Sequence, residues 1–152
     1  MGLDMYLYKK NYIRTDEFYK EEVRNEVIVK TGGEIDTKIK PERVKFVVEE
    51  VGYWRKANQI HNWFVENVQN GIDECQTSYV SREKLEELLE LCKQVRDDHS
   101  KAEELLPSAS GFFFGGTEYD EWYFKDISNT IGYLTEILED ELADEFEYNA
   151  SW

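Results

Sequence analysis

Cysteine is scarce, long apolar runs are missing and positive charge is in short supply, and each shortage excludes a class of protein. Two cysteines, Cys75 and Cys92, in 152 residues are too few for the disulfide framework of a small secreted domain. No apolar stretch nears the roughly 18 residues of a membrane helix, and no secretory leader is evident, so a cytoplasmic protein is expected. Eighteen Lys and Arg stand against thirty-three Asp and Glu, a formal net charge of −15. A field of that sign repels phosphate chains and argues against direct nucleic-acid binding. Familiar catalytic and nucleotide strings are missing as well. There is no His-Glu-x-x-His, no Gly-x-Ser-x-Gly, and neither of the common glycine-rich phosphate loops. His61, Cys75, Cys92 and His99 lie 14, 17 and 7 residues apart, a spacing that matches no common zinc module. No metal and no cofactor are expected.

The charge that is present is unevenly spread. Residues 1–56 carry twelve basic and eleven acidic side chains, whereas 57–152 carry six against twenty-two. Between Glu136 and Glu147 there are seven acidic residues and no basic one, which reads as a solvated helix end running into an acidic tail over 140–152. At 41% hydrophobic and 14% aromatic, the chain can still bury a core as one domain.

Periodicity predicts an α+β fold, with a small antiparallel sheet that includes the N-terminal strand packed against about three helices. Leu3, Met5 and Leu7 alternate with Asp4, Tyr6 and Tyr8, the pattern of a half-buried strand. Residues 14–43 are charged and aperiodic. They read as a variable insertion, with a hairpin turn at Thr31-Gly32-Gly33-Glu34. Val44–Val48 is strand-like. A first helix is predicted over 53–69 from the stripe Tyr53, Ala57, Ile60, Phe64 and Val68. A second begins after Ser81 with Leu85, Leu88, Leu89, Cys92 and Val95 on its buried face. Ser100 and Glu103 suggest a capped turn before Pro107. Thr117 with Asp120 suggests the start of a last helix bearing Tyr123, Ile127, Ile131, Leu134 and Leu138. Gly111–Gly116, with three consecutive Phe, reads as a short strand buried on both faces.

Two aromatic-dense segments, 53–64 and 111–124, hold three of the four Trp and mix rings with polar groups. On a 53–69 helix, Trp54, Asn58 and His61 would share a face with Arg55 at its edge. Rings can stack on a base, amides can read its edge, and a guanidinium can grip phosphate in two places. The candidate ligand-binding set is Trp54, Arg55, Asn58 and His61 on one wall with Tyr119, Asp120 and Trp122 on the other. The plain alternative is that Trp54 and Trp63 are core and His61 is a satisfied internal histidine. Gly115-Gly116-Thr117 before a helix N-terminus adds a weak anion site. No catalytic residue is assigned, although His61 with Asp120 could serve a small hydrolase.

The strings Tyr53-Trp54-Arg55-Lys56-Ala57-Asn58-Gln59-Ile60-His61-Asn62-Trp63-Phe64-Val65, Gly111-Phe112-Phe113-Phe114-Gly115 and Tyr119-Asp120-Glu121-Trp122-Tyr123, with the opening Met1–Leu7, resemble a family of small uncharacterised proteins of bacteriophages and prophages. The resemblance spans the first strand and roughly 50–138. It implies an accessory protein acting in the cytoplasm of an infected bacterial cell, directed against host defence. The leading expectation is stoichiometric sequestration of a nucleotide-like small molecule. The alternative is an acidic, nucleic-acid-mimicking inhibitor that seats Glu136–Glu147 in a basic groove of a host defence protein. Self-association stays open as a further partnership.

Overall fold

The computed structural model describes residues 2–152. It contains six strands, β1 (Asp4–Tyr12), β2 (Lys30–Thr31), β3 (Glu34–Ile35), β4 (Phe46–Arg55), β5 (Ser78–Val80) and β6 (Glu145–Ser151), and four α-helices, α1 (Asn58–Val68), α2 (Arg82–Asp97), α3 (Ala102–Leu105) and α4 (Glu121–Leu138). The fold is α+β, as the alternation predicts.

Leu3, Met5 and Leu7 are fully buried, while their even-numbered neighbours face the other side. β1 therefore presents one apolar face, and its position in the sheet order β4-β1-β6-β5 makes it an inner strand. All three pairings are antiparallel, with a bulge where β1 passes from Leu7 to Tyr8 opposite β4. The buried face continues across Trp54, Phe146, Tyr148, Ala150 and Val80 and is covered by the apolar stripes of the helices. Phe64 of α1 stacks on Tyr148 with ring centroids 3.9 Å apart. Ile127 and Leu134 of α4 and Leu85, Leu88, Cys92 and Val95 of α2 complete the core. The opposite sheet face is left open, with Tyr6 stacked beside Tyr8 and tilted against Tyr53.

Two segments depart from the periodicity reading. Helix α1 starts at Asn58 and not at Tyr53, because Tyr53, Trp54 and Arg55 finish β4 with the exposed–buried–exposed alternation of a strand. Lys56 then turns the chain with φ +60°. The acidic tail is no tail from Glu145 onward. Phe146, Tyr148 and Ala150 are buried at every second position, and β6 lies inside the sheet between β1 and β5. Its Glu residues sit on the open face, so acidity at alternate positions masks a strand. The seven carboxylates are also partly spent internally. Asp140 pairs with Lys9 at 3.1 Å, Asp144 with Arg14 at 2.7 Å, and Glu145 with Lys10 at 3.9 Å.

The expected hairpin within 14–43 is present but short. Gly32 and Gly33, at φ +63° and +86°, make the two-residue turn in which both central residues need positive φ. Ser81 caps α2 by accepting from the Lys84 N–H at 3.2 Å. The Ser100–Glu103 pair does not cap. Asp98 does, accepting from the Ser100 N–H at 3.1 Å and its hydroxyl at 2.6 Å. Helix α3 ends at Leu105, ahead of Pro107. Gly111–Gly116 is a turn and not a doubly buried strand, since Phe112 and Phe113 are exposed and only Phe114 is buried. Phe113 has φ +70°, and a Cβ on Gly111 would sit 2.5 Å from the Phe114 ring.

Candidate functional site

The corner where β4 turns into α1 faces the first turn of α4 across a cleft of about 320 Å³. Arg55, Lys56, Asn58 and Gln59 line it on one side. Gly115, Gly116 and Glu118 come from the loop, and Asp120, Trp122, Tyr123 and Asp126 from α4 and its cap. The two aromatic segments therefore meet, although through a corner and not along a helix face.

Four of the seven expected residues line this cleft: Arg55, Asn58, Asp120 and Trp122. Trp54 does not. It is 2% exposed and points into the core, where its indole N–H donates to Thr130 Oγ1 at 2.8 Å. The strand alternation that exposes Arg55 sends Trp54 inward. His61 is 1% exposed and lies between Tyr148 Oη, 2.7 Å from Nδ1, and Asp73 Oδ2, 2.9 Å from Nε2. An ionised carboxylate can only accept, so Nε2 donates to Asp73, and in the neutral imidazole Nδ1 then accepts from the Tyr148 hydroxyl. Burial, with Asp73 nearby, holds that hydroxyl far above the usual tyrosine range. His61 is thus a satisfied internal histidine whose acid partner is Asp73, and the pairing with Asp120 does not form. Tyr119 lies beside the cleft, its hydroxyl accepting from the Ser108 N–H at 3.2 Å.

Asn58 lines the cleft but is fully engaged. Its amide donates to Phe114 O at 3.0 Å and Gly116 O at 2.8 Å, and its carbonyl accepts from the Ala109 N–H at 3.0 Å. One side chain fastens both ends of the triple-phenylalanine turn. Asp120 is likewise committed. Its Oδ1 accepts from the Trp122 and Tyr123 N–H groups, both at 3.1 Å. The N-terminus of α4 is therefore filled by its own cap, which closes the anion site expected there.

The residues left with unspent chemistry are Arg55, Lys56, Trp122 and Asp126, for the buried Gln59 amide already donates to Tyr123 O at 3.3 Å. Arg55 and Lys56 enter no ion pair among the described residues. Lys56 holds a left-handed backbone that costs a non-glycine residue about 1 kcal/mol. Its backbone is pinned from both sides: its N–H donates to Leu3 O at 2.8 Å and its carbonyl accepts from the Asn58 N–H at 2.9 Å. Lys56→Gly should accordingly raise stability by about 0.5–1 kcal/mol in urea titrations. The same change should weaken binding of any phosphate-bearing ligand, since the ammonium goes with it.

Asp126 is the missed residue. Desolvation is the main cause that lifts its carboxyl to about 6, with Asp120 adding to the rise and Gln59 and Lys125 opposing it. Nothing in a lone Asp inside a helical stripe signals this, because its burial comes from the Gln59 side of the cleft. An acid with a raised folded pKa holds its proton more tightly in the folded chain. Its contribution is therefore fullest below the unfolded value of 3.8, declines as pH rises to about 6, and is level above that. Asp126→Asn should gain about 1 kcal/mol at pH 7, the figure being reduced for partial solvent access, and should lose that gain below about pH 4. Denaturant melts at both pH values check it.

Trp122 is 63% exposed and carries the Lys125 ammonium 5.2 Å from its ring centroid. It offers an open aromatic wall beside the two cations. Burial pushes Cys92 up to about 12, and His99 stacks on Phe124 with centroids 3.7 Å apart. No group of three or more His, Cys, Asp or Glu is arranged for a metal ion among the described residues. No helix among the described residues is long and apolar enough to cross a membrane. Comparison with protein-family models, curated proteins and solved structures found no match.

Proposed function

We propose that the protein is a non-catalytic binder that holds a nucleotide-like small molecule in the Arg55–Trp122 cleft. The observation that carries this reading is the pairing of two unspent cations, Arg55 and Lys56, with the exposed Trp122 ring around a cleft of about 320 Å³. Phosphate would lie against the guanidinium and ammonium, the base against the indole, and Asp126 would meet its polar edge. The Glu118 carboxylate across the cleft suits a ligand with donor groups as well as negative charge. Binding would be stoichiometric. The resemblance to phage proteins supports placing that sequestration in an infected bacterial cell, directed against host defence.

The internal pairing of Asp140, Asp144 and Glu145 favours this reading over an acidic inhibitor that docks Glu136–Glu147 in a basic groove. Ionic strength separates the two. An ion-paired protein complex should weaken steeply between about 50 and 500 mM salt through Debye screening, whereas a small ligand held by two cations and a stacked ring should weaken much less. Native mass spectrometry of the protein purified from infected cells is the direct test. A retained small molecule supports the cleft reading, and a captured host protein with no small molecule contradicts it.

A further inference from the structure

Strand β4 is an edge strand, ten residues long, and its first half stands clear of the body. Phe46, Val47 and Val48 are 44%, 46% and 49% exposed, so both faces of the strand are uncovered there. Exposed edges are normally kept short or guarded by proline or inward-pointing charge. This one has neither proline nor a bulge before Glu50.

The register shows which backbone groups are free. Ile13 N–H donates to Lys45 O at 2.7 Å, and Tyr12 is opposite Phe46. Lys45 is thus in a hydrogen-bonded pair, so Lys45, Val47 and Glu49 turn their N–H and C=O toward β1, and Phe46 and Val48 turn theirs outward. No described residue bonds to those outward groups. The sequence Lys45-Phe46-Val47-Val48-Glu49 is also complementary to its own reverse. Laid antiparallel on a second copy about a two-fold axis at Val47, Phe46 faces Val48 and Lys45 faces Glu49. The outward-facing residues then become the hydrogen-bonded pairs, and Val47 meets its symmetry mate in a non-hydrogen-bonded pair. Both charge and hydrogen-bond parity fit one register.

We infer that β4 pairs with β4 of a second copy of this chain about an axis at Val47, making a continuous eight-stranded sheet. The two halves contribute four strands each. The closed two-fold satisfies both edges at once and leaves the Arg55 end of β4, and hence the cleft, outside the contact. Lys45 gives up its exposed bond to Glu42 O for a carboxylate across the axis.

Register-specific cross-linking tests this. In a Cys75→Ser background, which removes the exposed thiol, Val47→Cys should form a disulfide-linked dimer readily under mild oxidation. Directly opposed residues of a non-hydrogen-bonded pair lie about 4.5 Å apart at Cα, within disulfide reach. Val48→Cys, which faces Phe46 and not itself, should cross-link far less. Without oxidation, sedimentation should show a dimer that Lys45→Glu weakens at least about tenfold. Lys45→Glu with Glu49→Lys should restore it in part, since the exchange also gives up the Glu49–Lys9 ion pair at 3.4 Å within each copy. Circular dichroism and melting confirm that each variant is folded. A monomeric wild-type chain at tens of micromolar overturns the inference, as does equal cross-linking at 47 and 48 or a dimer indifferent to Lys45→Glu.

Discussion

Asn58→Ala is expected to cost about 3–5 kcal/mol of folding stability, far more than a typical surface amide. The side chain makes three hydrogen bonds, two to carbonyls of the Phe114–Gly116 stretch and one from the Ala109 N–H. Removing it leaves three groups of a buried or half-buried loop unpaired, each worth about 1–3 kcal/mol before relaxation and water entry recover part. Because α4 begins only a few residues beyond this turn, the cleft should loosen with it. Urea melts would show a lowered midpoint, and proteolysis should find new cleavage within 108–116. Asn58→Asp is a sharper control, for it keeps the volume and the acceptor but turns both donors into a carboxylate facing two carbonyls.

His61→Ala should destabilise by about 3–5 kcal/mol through a different route, a buried cavity combined with two orphaned partners. Tyr148 Oη and Asp73 Oδ2 would both lose the imidazole between them, and Phe114 would lose an edge-to-face contact at 5.2 Å. Asp73 also accepts from the Trp152 indole at 3.0 Å, so the end of the chain should become easier to digest. Ligand binding by the folded fraction should be unchanged, since His61 lines no part of the cleft. Denaturant midpoints and binding measured on the same sample distinguish this outcome from a direct ligand contact.

These two residues show where reading the sequence by period succeeds and where it stops. The alternation at Leu3, Met5 and Leu7 and the leucine stripe of α2 are local and strong, and both elements form where the pattern places them. Tyr53-Trp54-Arg55 satisfies a helical stripe through Tyr53, Ala57 and Ile60 as well as a strand alternation through Trp54. Only pairing with β1 decides between them. β6 was concealed for a related reason: its Glu residues occupy the open sheet face, and nothing near in sequence shows that Phe146 and Tyr148 meet β1, more than 130 positions earlier. Bringing together 53–65 and 111–123 was readable as a density of rings and polar groups. The division of labour inside that region was not. Asn58 and His61 carry ligand-like chemistry but spend it on the Gly111–Gly116 turn and on Asp73, contacts that tertiary structure alone supplies. Arg55 stays unspent because strand alternation turns it outward at the end of β4, and Lys56 because its left-handed turn takes it out of the sheet beside the cleft.

Binding in the cleft depends on that pair of cations acting on a ligand and not on the fold. Calorimetric titration of the full chain with nucleoside monophosphates, alongside Arg55→Ala, tests it most directly. The prediction is saturable one-to-one binding of at least one of the four bases, weakened in the variant by about tenfold or more, with the thermal midpoint of the unliganded variant unchanged. Absence of binding to every nucleotide, or equal binding by wild type and Arg55→Ala, would contradict it.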